Sequence, residues 1–578
     1  MLLWWKKFFW RIDDGEWNIF SSVLTSCSST SNKIDVGKRV VIDTLSESFI
    51  SDIIIAGAGV GGYASALSAL KNGLTVVMTE ETDWIGGQLT QQMVPPDEHP
   101  WIEEFGSTSS YRKLRNMVRD YYRSFYPLKE EELENKYLNP GKGSVSRLCS
   151  EPKVWLHVME NMLMPYISSG RLILLLEHKV VSAEMEKTKV KSLNVKNLKN
   201  GKEITLYAEY FVDATELGDL LPITGTEYVT GAESKNETNE LHASEYKDPT
   251  NEQAFTMCFA LDYMPGEDWT IRKPEEYDFW RNYVPDLKRK WSGNLLSLTY
   301  CNPQTLEPRT FDFHPEGKVF NNRMNWWNYR KIIDKNTFET GFYKGDISLI
   351  IWPQNDYILG RIVDVSDEEF RYNIERAKQL SLSLVYWLQT EVERPDGGKG
   401  WKGLRLRNDI SGTQDGLAKY PYVRESRRIK SVFTIKEEHV GKEQREMYLS
   451  KGEKLRSSDF YDSVGVGYYH IDLHPSTGGD NYIDFPSLRY EIPLGALIPV
   501  KTENLLPACK NIGTTHITNG CYRLHPTEWG IGEAVGALVK YALDKKVRPR
   551  DIREDSALLK GFQDMLCNQG VELKWPDE

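Results

Sequence analysis

Apolar positions along this chain change period several times, and each change marks an element. Asp52 to Gly57 is a short β-branched run, which reads as a buried parallel strand. Gly59 to Asn72 is rich in Ala, Leu and Ser and reads as a helix that Asn72-Gly73 ends. Thr75 to Glu80 is the next strand, so residues 52–80 form a βαβ unit. Tyr111 to Arg123 and Lys153 to Ser168 carry helical spacing. From Arg171 the runs RLILLL, KVVSAEMEK, VKSLNVKNL and KEITLYAEYFVDAT are short and alternating. They predict a small antiparallel meander with a hairpin turn at Asn200-Gly201, closed by a strand over Tyr210 to Thr215 that rejoins the parallel sheet. Gly495 to Leu543 again reads as strand, loop and helix, the helix covering Thr527 to Leu543, and a charged tail follows from Arg548.

The predicted fold class is α/β: a Rossmann-like nucleotide domain, with a βαβ parallel sheet and a small antiparallel meander, interrupted by an inserted α+β substrate domain. The expected division is a leader over 1–48, a first nucleotide-domain part over 49–225, an inserted substrate or cap domain over 226–420, the second nucleotide-domain part over 421–550, and a C-terminal tail over 551–578. At 578 residues the chain is long enough for such a division.

Composition narrows the partners. The net charge is −11 with Lys and Arg spread along the chain, so no nucleic-acid partner is expected. The seven cysteines contain no C-x-x-C, which removes a redox dithiol and any Cys-based zinc site. The 17 Trp and 30 Tyr suit a large core or a pocket that stacks flat or sugar-like ligands. No run of roughly 20 uninterrupted apolar residues is present. The default location is cytoplasmic. Leu24-Thr25-Ser26-Cys27 resembles a bacterial lipobox, so a lipid-anchored envelope protein is the alternative, although Asp13, Asp14 and Glu16 spoil the segment before it.

Gly57-x-Gly59-x-x-Gly62 follows a strand and opens a helix, the context in which this spacing holds a dinucleotide. The first glycine permits the tight turn, the second admits the pyrophosphate, and the third lets helix and strand pack closely. The helix N-terminus then offers free N–H groups to the phosphates. Glu80, at the end of the second strand, is placed to accept hydrogen bonds from ribose hydroxyls.

The blocks IIIAGAGVGGYASAL, TEETDWIGGQLT, FVDATELGDLL, LIIWPQNDY, VRESRRI and NLLPACKNIGTTHITNGCYRLHPTEWGIGEAVGALV span nearly the whole chain after residue 50. With them the chain resembles the FAD-dependent oxidoreductases of the glutathione-reductase-like fold. It is most similar to a bacterial group often labelled "putative xanthan lyase". The resemblance implies FAD, with Glu81, Gly86, Gly87 and Gln88 running along it after Glu80. Asp213, Ala214, Thr215 and Gly513 would lie near it, and Glu528, Gly530, Ile531 and Gly532 would stand at the flavin edge, where the helix N-terminus stabilises negative charge. The family's Ala-Gly-Arg stands here as Ala508-Cys509-Lys510.

By the same resemblance Arg523, His525 and His516 are the catalytic candidates: Arg523 to bind a substrate carboxylate or stabilise reduced flavin, His525 as base. His470-x-Asp472-x-His474 would share one strand face and suits a metal site, a polar substrate wall or a solvated strand. The substrate wall is preferred and no metal is expected. The polar residues of Trp352 to Tyr357 suit a hydroxylated ligand or a turn. Arg424 to Arg428 suits the flavin edge or a surface ion-pair network. The expected activity is hydride transfer between a small polar organic substrate and flavin N5, with an electron acceptor and an oligomeric state that the sequence does not assign. A polysaccharide lyase on a flavoprotein fold and a non-catalytic nucleotide-binding envelope protein are the alternatives.

Overall fold

A computed structural model describes residues 38–43, 47–320 and 322–576. The lipobox-like Cys27 lies outside the described residues. Among them, no helix is long and apolar enough to cross a membrane.

The main sheet is built around β2 (Ser48–Ala56) and β3 (Val76–Glu80), which run parallel, as the βαβ reading requires, and the short β1 (Val41–Asp43), within the expected leader, pairs antiparallel with the start of β2. Ile53, Ile54, Ile55 and Ala56 are all fully buried, because this strand is covered on both faces. Gly57 takes a φ of +93° to turn the chain, and α1 (Val60–Lys71) starts directly after Gly59. Val60 to Leu70 are buried all round α1, the mark of a helix enclosed on every side. Gly73, at φ +88°, ends the turn after it.

RLILLL is not part of the meander. It forms β4 (Leu172–Leu176), which pairs in parallel with β3 and makes an edge of the nucleotide-type sheet. A short apolar run fits a buried parallel strand as well as a meander strand, and only the partner decides. The meander is the three strands β5 (His178–Glu186), β6 (Lys189–Asn197) and β7 (Glu203–Asp213), paired antiparallel. β7 serves both structures. Its Glu203 to Tyr207 end pairs with β6, while its Phe211 to Asp213 end pairs in parallel with the Leu505–Pro507 strand. The sheet order is thus β4-β3-β2-β7-β6-β5, with Leu505–Pro507 beside the end of β7.

The His525–Lys545 helix lies along α1. Glycines set how closely they approach: a Cβ on Gly532 would sit 2.0 Å from the Gly61 carbonyl oxygen, and one on Gly536 would sit 2.3 Å from that of Ser65. The charged stretch after Arg548 folds into two helices, Pro549–Glu554 and Ser556–Asn568. Their Ile552, Leu559, Phe562 and Leu566 are buried in the same core, while Glu554, Lys560 and Asp564 face outward and Arg553 turns in to Asp462.

Between the two halves of the nucleotide-type fold lies a second core. A four-stranded antiparallel sheet is formed by Lys331–Ile333, Ile347–Ile350, Phe259–Tyr263 and Leu404–Leu406. Leu380, Leu384 and Leu388 of the Asp367–Thr390 helix pack with Phe259 and Leu261 of this sheet. That helix begins with Ser366, whose side chain accepts from Glu369 N, followed by three acids that suit the positive end of its dipole. Seven of the tryptophans, Trp280, Trp291, Trp326, Trp327, Trp352, Trp387 and Trp401, are buried in this second core.

Candidate cofactor and active site

The glycine loop, the β3 end and the β7 end meet at one cavity. Gly57, Gly59, Glu80, Glu81, Ala214, Thr215, Glu216 and Tyr420 line it. Sterics explain the glycines. A Cβ on Gly57 would lie 2.2 Å from the Ala214 carbonyl oxygen, and one on Gly62 would lie 2.1 Å from that of Gly57. Gly86 and Gly87 have φ of +107° and +53°, and a Cβ on Gly87 would stand 2.8 Å from Gly59 Cα. The WIGGQLT loop therefore lies directly on the first glycine turn.

Carboxylates surround this cradle. Glu80 accepts from the backbone N–H of Ala58 and Thr82, each at 3.0 Å, and from Gln91 Nε2 at 3.0 Å. Burial lifts its pKa to about 7 in spite of those donors. Glu81 is paired with Lys179 at 3.1 Å. Asp213 points into its own loop, accepting from Thr215 N, Thr215 Oγ1 and Leu220 N, so it shapes the turn that presents Ala214 and Thr215. Glu528 reaches the first turn of α1 and accepts from Gly61 N at 3.1 Å. The sequence motifs do not single out the partner of these acids. Lys510, fully buried, is ion-paired with Glu216 and stands 3.9 Å from Glu528. Lys510 takes the Arg place of the family's Ala-Gly-Arg, and Glu216 directly follows Asp213-Ala214-Thr215. Adjacency to known motifs was the only signal for either.

Gln88 ties the cradle to the far end of the chain. Its Nε2 donates to the Arg523 carbonyl oxygen at 3.1 Å and to Glu528 Oε2 at 2.6 Å. Arg523 caps the end of the His516–Tyr522 helix, one residue before Leu524, the N-cap of the His525–Lys545 helix. Its guanidinium donates to Tyr422 OH at 2.7 Å and to the backbone oxygen of Asp472 at 2.9 Å, with Asp472 Oδ2 at 3.3 Å. Burial alone would raise Asp472, but His474, His470 and Arg523 together hold it well below the usual carboxylate range. His474 continues the chain to Asp356 at 2.6 Å, and Asp356 pairs with Arg424 at 3.1 Å. His470 is bonded to Asp484 at 2.6 Å. The His470-x-Asp472-x-His474 stretch is thus part of a partly buried chain of imidazoles and carboxylates that reaches Arg523. Among the described residues, no group of three His, Cys, Asp or Glu is arranged to hold a metal ion.

His525 is fully buried and burial lowers its pKa to about 4, so the imidazole is neutral. Its Nδ1 accepts from Asp97 N at 3.2 Å, which leaves the proton on Nε2. Asp97 in turn pairs with Arg330 at 3.2 Å. His516 stands apart from these two. It is bonded to Glu425 at 2.7 Å and lines a different cavity. Burial works against its charge, but Glu425 outweighs burial and raises its pKa. Arg424 and Arg428 are buried rather than on the surface, and Arg428 binds Glu425 and Glu233. Gly513 lies against Ser431. Ile531 and Gly532 are buried in the body of the His525–Lys545 helix, with Gly532 on α1. Gly530 has only Ile492 within reach of a Cβ, at 3.7 Å.

One observation says that these residues suit a bound group. Gln88 Oε1, both side-chain polar atoms of Gln92, Glu216 Oε1, Arg523 Nε and His525 Nε2 are buried with no protein partner, on segments that meet at this site. Buried polar atoms are nearly always satisfied, so such a group of them calls for a non-protein partner.

A family model for FAD dependent oxidoreductases matches residues 52–566. No curated protein matches the chain. Among solved structures, the p-nitrophenol 4-monooxygenase of Pseudomonas putida is 10% identical, over 92% of this chain and 91% of that one, with a TM-score of 0.34. A geranylgeranyl bacteriochlorophyll reductase-like protein of Thermoplasma acidophilum is 9% identical, over 90% and 84%, with a TM-score of 0.29. The L-proline dehydrogenase of P. horikoshii is 15% identical, over 33% of this chain but only 26% of its own length, with a TM-score of 0.17. The family match, which takes in both the glycine cradle and the final glycine-rich helix, carries the assignment. The chain belongs to the family of FAD-dependent oxidoreductases.

Proposed function

We propose that the protein passes a hydride between a small polar organic substrate and flavin N5. The observation that carries this reading is the pair of unpartnered buried N–H groups, Arg523 Nε and His525 Nε2, where the His525–Lys545 helix begins. FAD, when bound, supplies the two-electron carrier. Arg523, held by Tyr422 and Asp472, keeps a fixed positive charge beside the reacting atoms and offers Nε–H to an oxygen there. Its two terminal nitrogens are already engaged, so it is not free to grip a carboxylate in two-pronged fashion. His525, neutral with its proton on Nε2, acts as a hydrogen-bond donor. The proton released by the substrate goes to His474, which is bonded to Asp356 and lies 3.5 Å from Asp472, the partner of Arg523; the two carboxylates are held too acidic to take it.

Anaerobic mixing with sugars, polyols, amines and hydroxy acids tests this. The true substrate bleaches the flavin. Turnover to an unsaturated sugar with the flavin still oxidised would replace the reading with that of a lyase.

A further inference from the structure

A second cavity, of about 820 Å³, lies among the Ala232–Tyr246 segment, the Asp480–Phe485 segment and the start of the His516–Tyr522 helix. Its size is within the range of small-molecule sites, roughly 300–1,000 Å³. It shares no lining residue with the glycine cradle. Its wall holds six carboxylates against one lysine and one arginine. Four of the six already have cation or imidazole partners: Glu233 with Arg428, Asp480 with Lys288, Asp484 with His470 and Glu443 with His242.

Glu240 differs from these. It is 1% exposed. One of its oxygens accepts from Glu437 N at 2.8 Å and from Thr515 Oγ1 at 2.6 Å, and the other has no partner. The charge that acts on it is a second carboxylate, Glu233. Tyr482, on the same wall, also has an unpartnered buried hydroxyl. An apolar surface accompanies them, where Phe485 stacks under His242 with ring centroids 3.9 Å apart.

A carboxylate or phosphate ligand would meet like charge on this wall. A neutral polyol would fill the hydrogen bonds but bring no positive charge to a wall where Glu240 faces a second carboxylate, Glu233. An ammonium group does both, and the carbon body it carries suits the Phe485 side. We infer that this cavity binds an organic amine, its ammonium group on Glu240. Tyr482 connects the cavity to the reaction end, because its ring lies 5.4 Å from that of His474. The inference rests on the hydride-transfer reading in one respect only, that the bound amine is also the substrate. In that case the ammonium would lose one proton from nitrogen, to Glu240 and on to the His474 chain beside Tyr482, and, with FAD bound, a hydride from carbon to the flavin, and would leave as an iminium ion.

A matched four-carbon series tests it: putrescine, 1,4-butanediol and succinate, titrated calorimetrically into the oxidised, FAD-loaded protein. Putrescine should bind at least about tenfold more tightly than the diol, succinate should not bind, and added salt should weaken putrescine. Glu240→Gln should weaken putrescine about tenfold or more with FAD content unchanged. Equal binding of the diol or succinate, or an unchanged Glu240→Gln affinity, overturns the inference. If that variant does not fold, the wild-type salt series decides, and salt-independent binding overturns it. Putrescine that binds without bleaching the flavin keeps the amine site and removes amine oxidation. Bleaching by a sugar or hydroxy acid, with no amine binding, does the reverse.

Discussion

Arg523 and His525 stand two positions apart and do different work. Arg523 is a buried cation paired with the partly buried Asp472, so breaking the pair is costly even though His474 and His470 also act on that carboxylate. Arg523→Ala is expected to cost about 3 kcal/mol of stability by urea denaturation. It should slow flavin reduction on the order of 100-fold in stopped flow while FAD stays bound. An unchanged reduction rate would remove Arg523 from the reaction. For His525 the test is the pH profile. With a pKa of about 4 it does not titrate near neutrality. His525→Gln, which keeps an N–H donor, should therefore preserve the shape of the rate–pH curve between about pH 5 and pH 8. Loss of the acid limb in that variant would show His525 to be the base. Both residues were legible in the sequence because they immediately precede a glycine-rich helix. Glu216 and Lys510 were not, since 294 residues separate them and only the fold brings them together. His525's tautomer was equally hidden, because it is set by a backbone N–H in a loop with no motif.

At the scale of elements, the crossing of α1 and the His525–Lys545 helix decides how well the cradle is held. Gly532→Ala would place a methyl 2.0 Å from the Gly61 carbonyl oxygen and force the helices apart. A loss of about 3 kcal/mol and weaker FAD retention are expected. Gly530→Ala, two residues away on the same helix, meets only Ile492 Cδ1 at 3.7 Å. It should be neutral or gain up to about 1 kcal/mol from helix propensity. Thermal denaturation of the pair checks this, and equal effects of the two substitutions would contradict the packing account. The βαβ unit and the final helix were readable because their apolar runs are long and bounded by glycine. RLILLL misled because five apolar residues fit either sheet. The helices after Arg548 were masked by charge, although Leu559, Phe562 and Leu566 keep helical spacing beneath it.

For the whole molecule, buried acids and buried histidines pull stability in opposite directions with pH. Burial raises the folded pKa of Glu252 from its ordinary 4.5 to about 8, and those of Glu80, Asp213 and Glu240 to about 7. A raised folded pKa means that the folded chain binds the proton more tightly. That contribution is complete below the unfolded pKa and is lost as pH rises through the folded value. His99 and His525 are lowered to about 4, so their contribution is present above the unfolded value and lost as pH falls through about 4. Stability should therefore peak on the mildly acidic side of neutrality. The melting temperature should fall as pH rises through 8, and Glu252→Gln should flatten that fall. A wild-type melting curve that does not change between neutral and mildly alkaline pH would contradict this.

The central claim is that this fold carries FAD and reduces it with substrate. Anaerobic absorbance of the purified, FAD-loaded protein during addition of the amine, sugar, polyol and hydroxy-acid panel tests both parts at once. The account predicts a yellow protein with one FAD per chain whose flavin bleaches with one class of compound. A colourless protein that cannot be loaded with FAD would contradict it, as would turnover of any of these compounds with the flavin still oxidised.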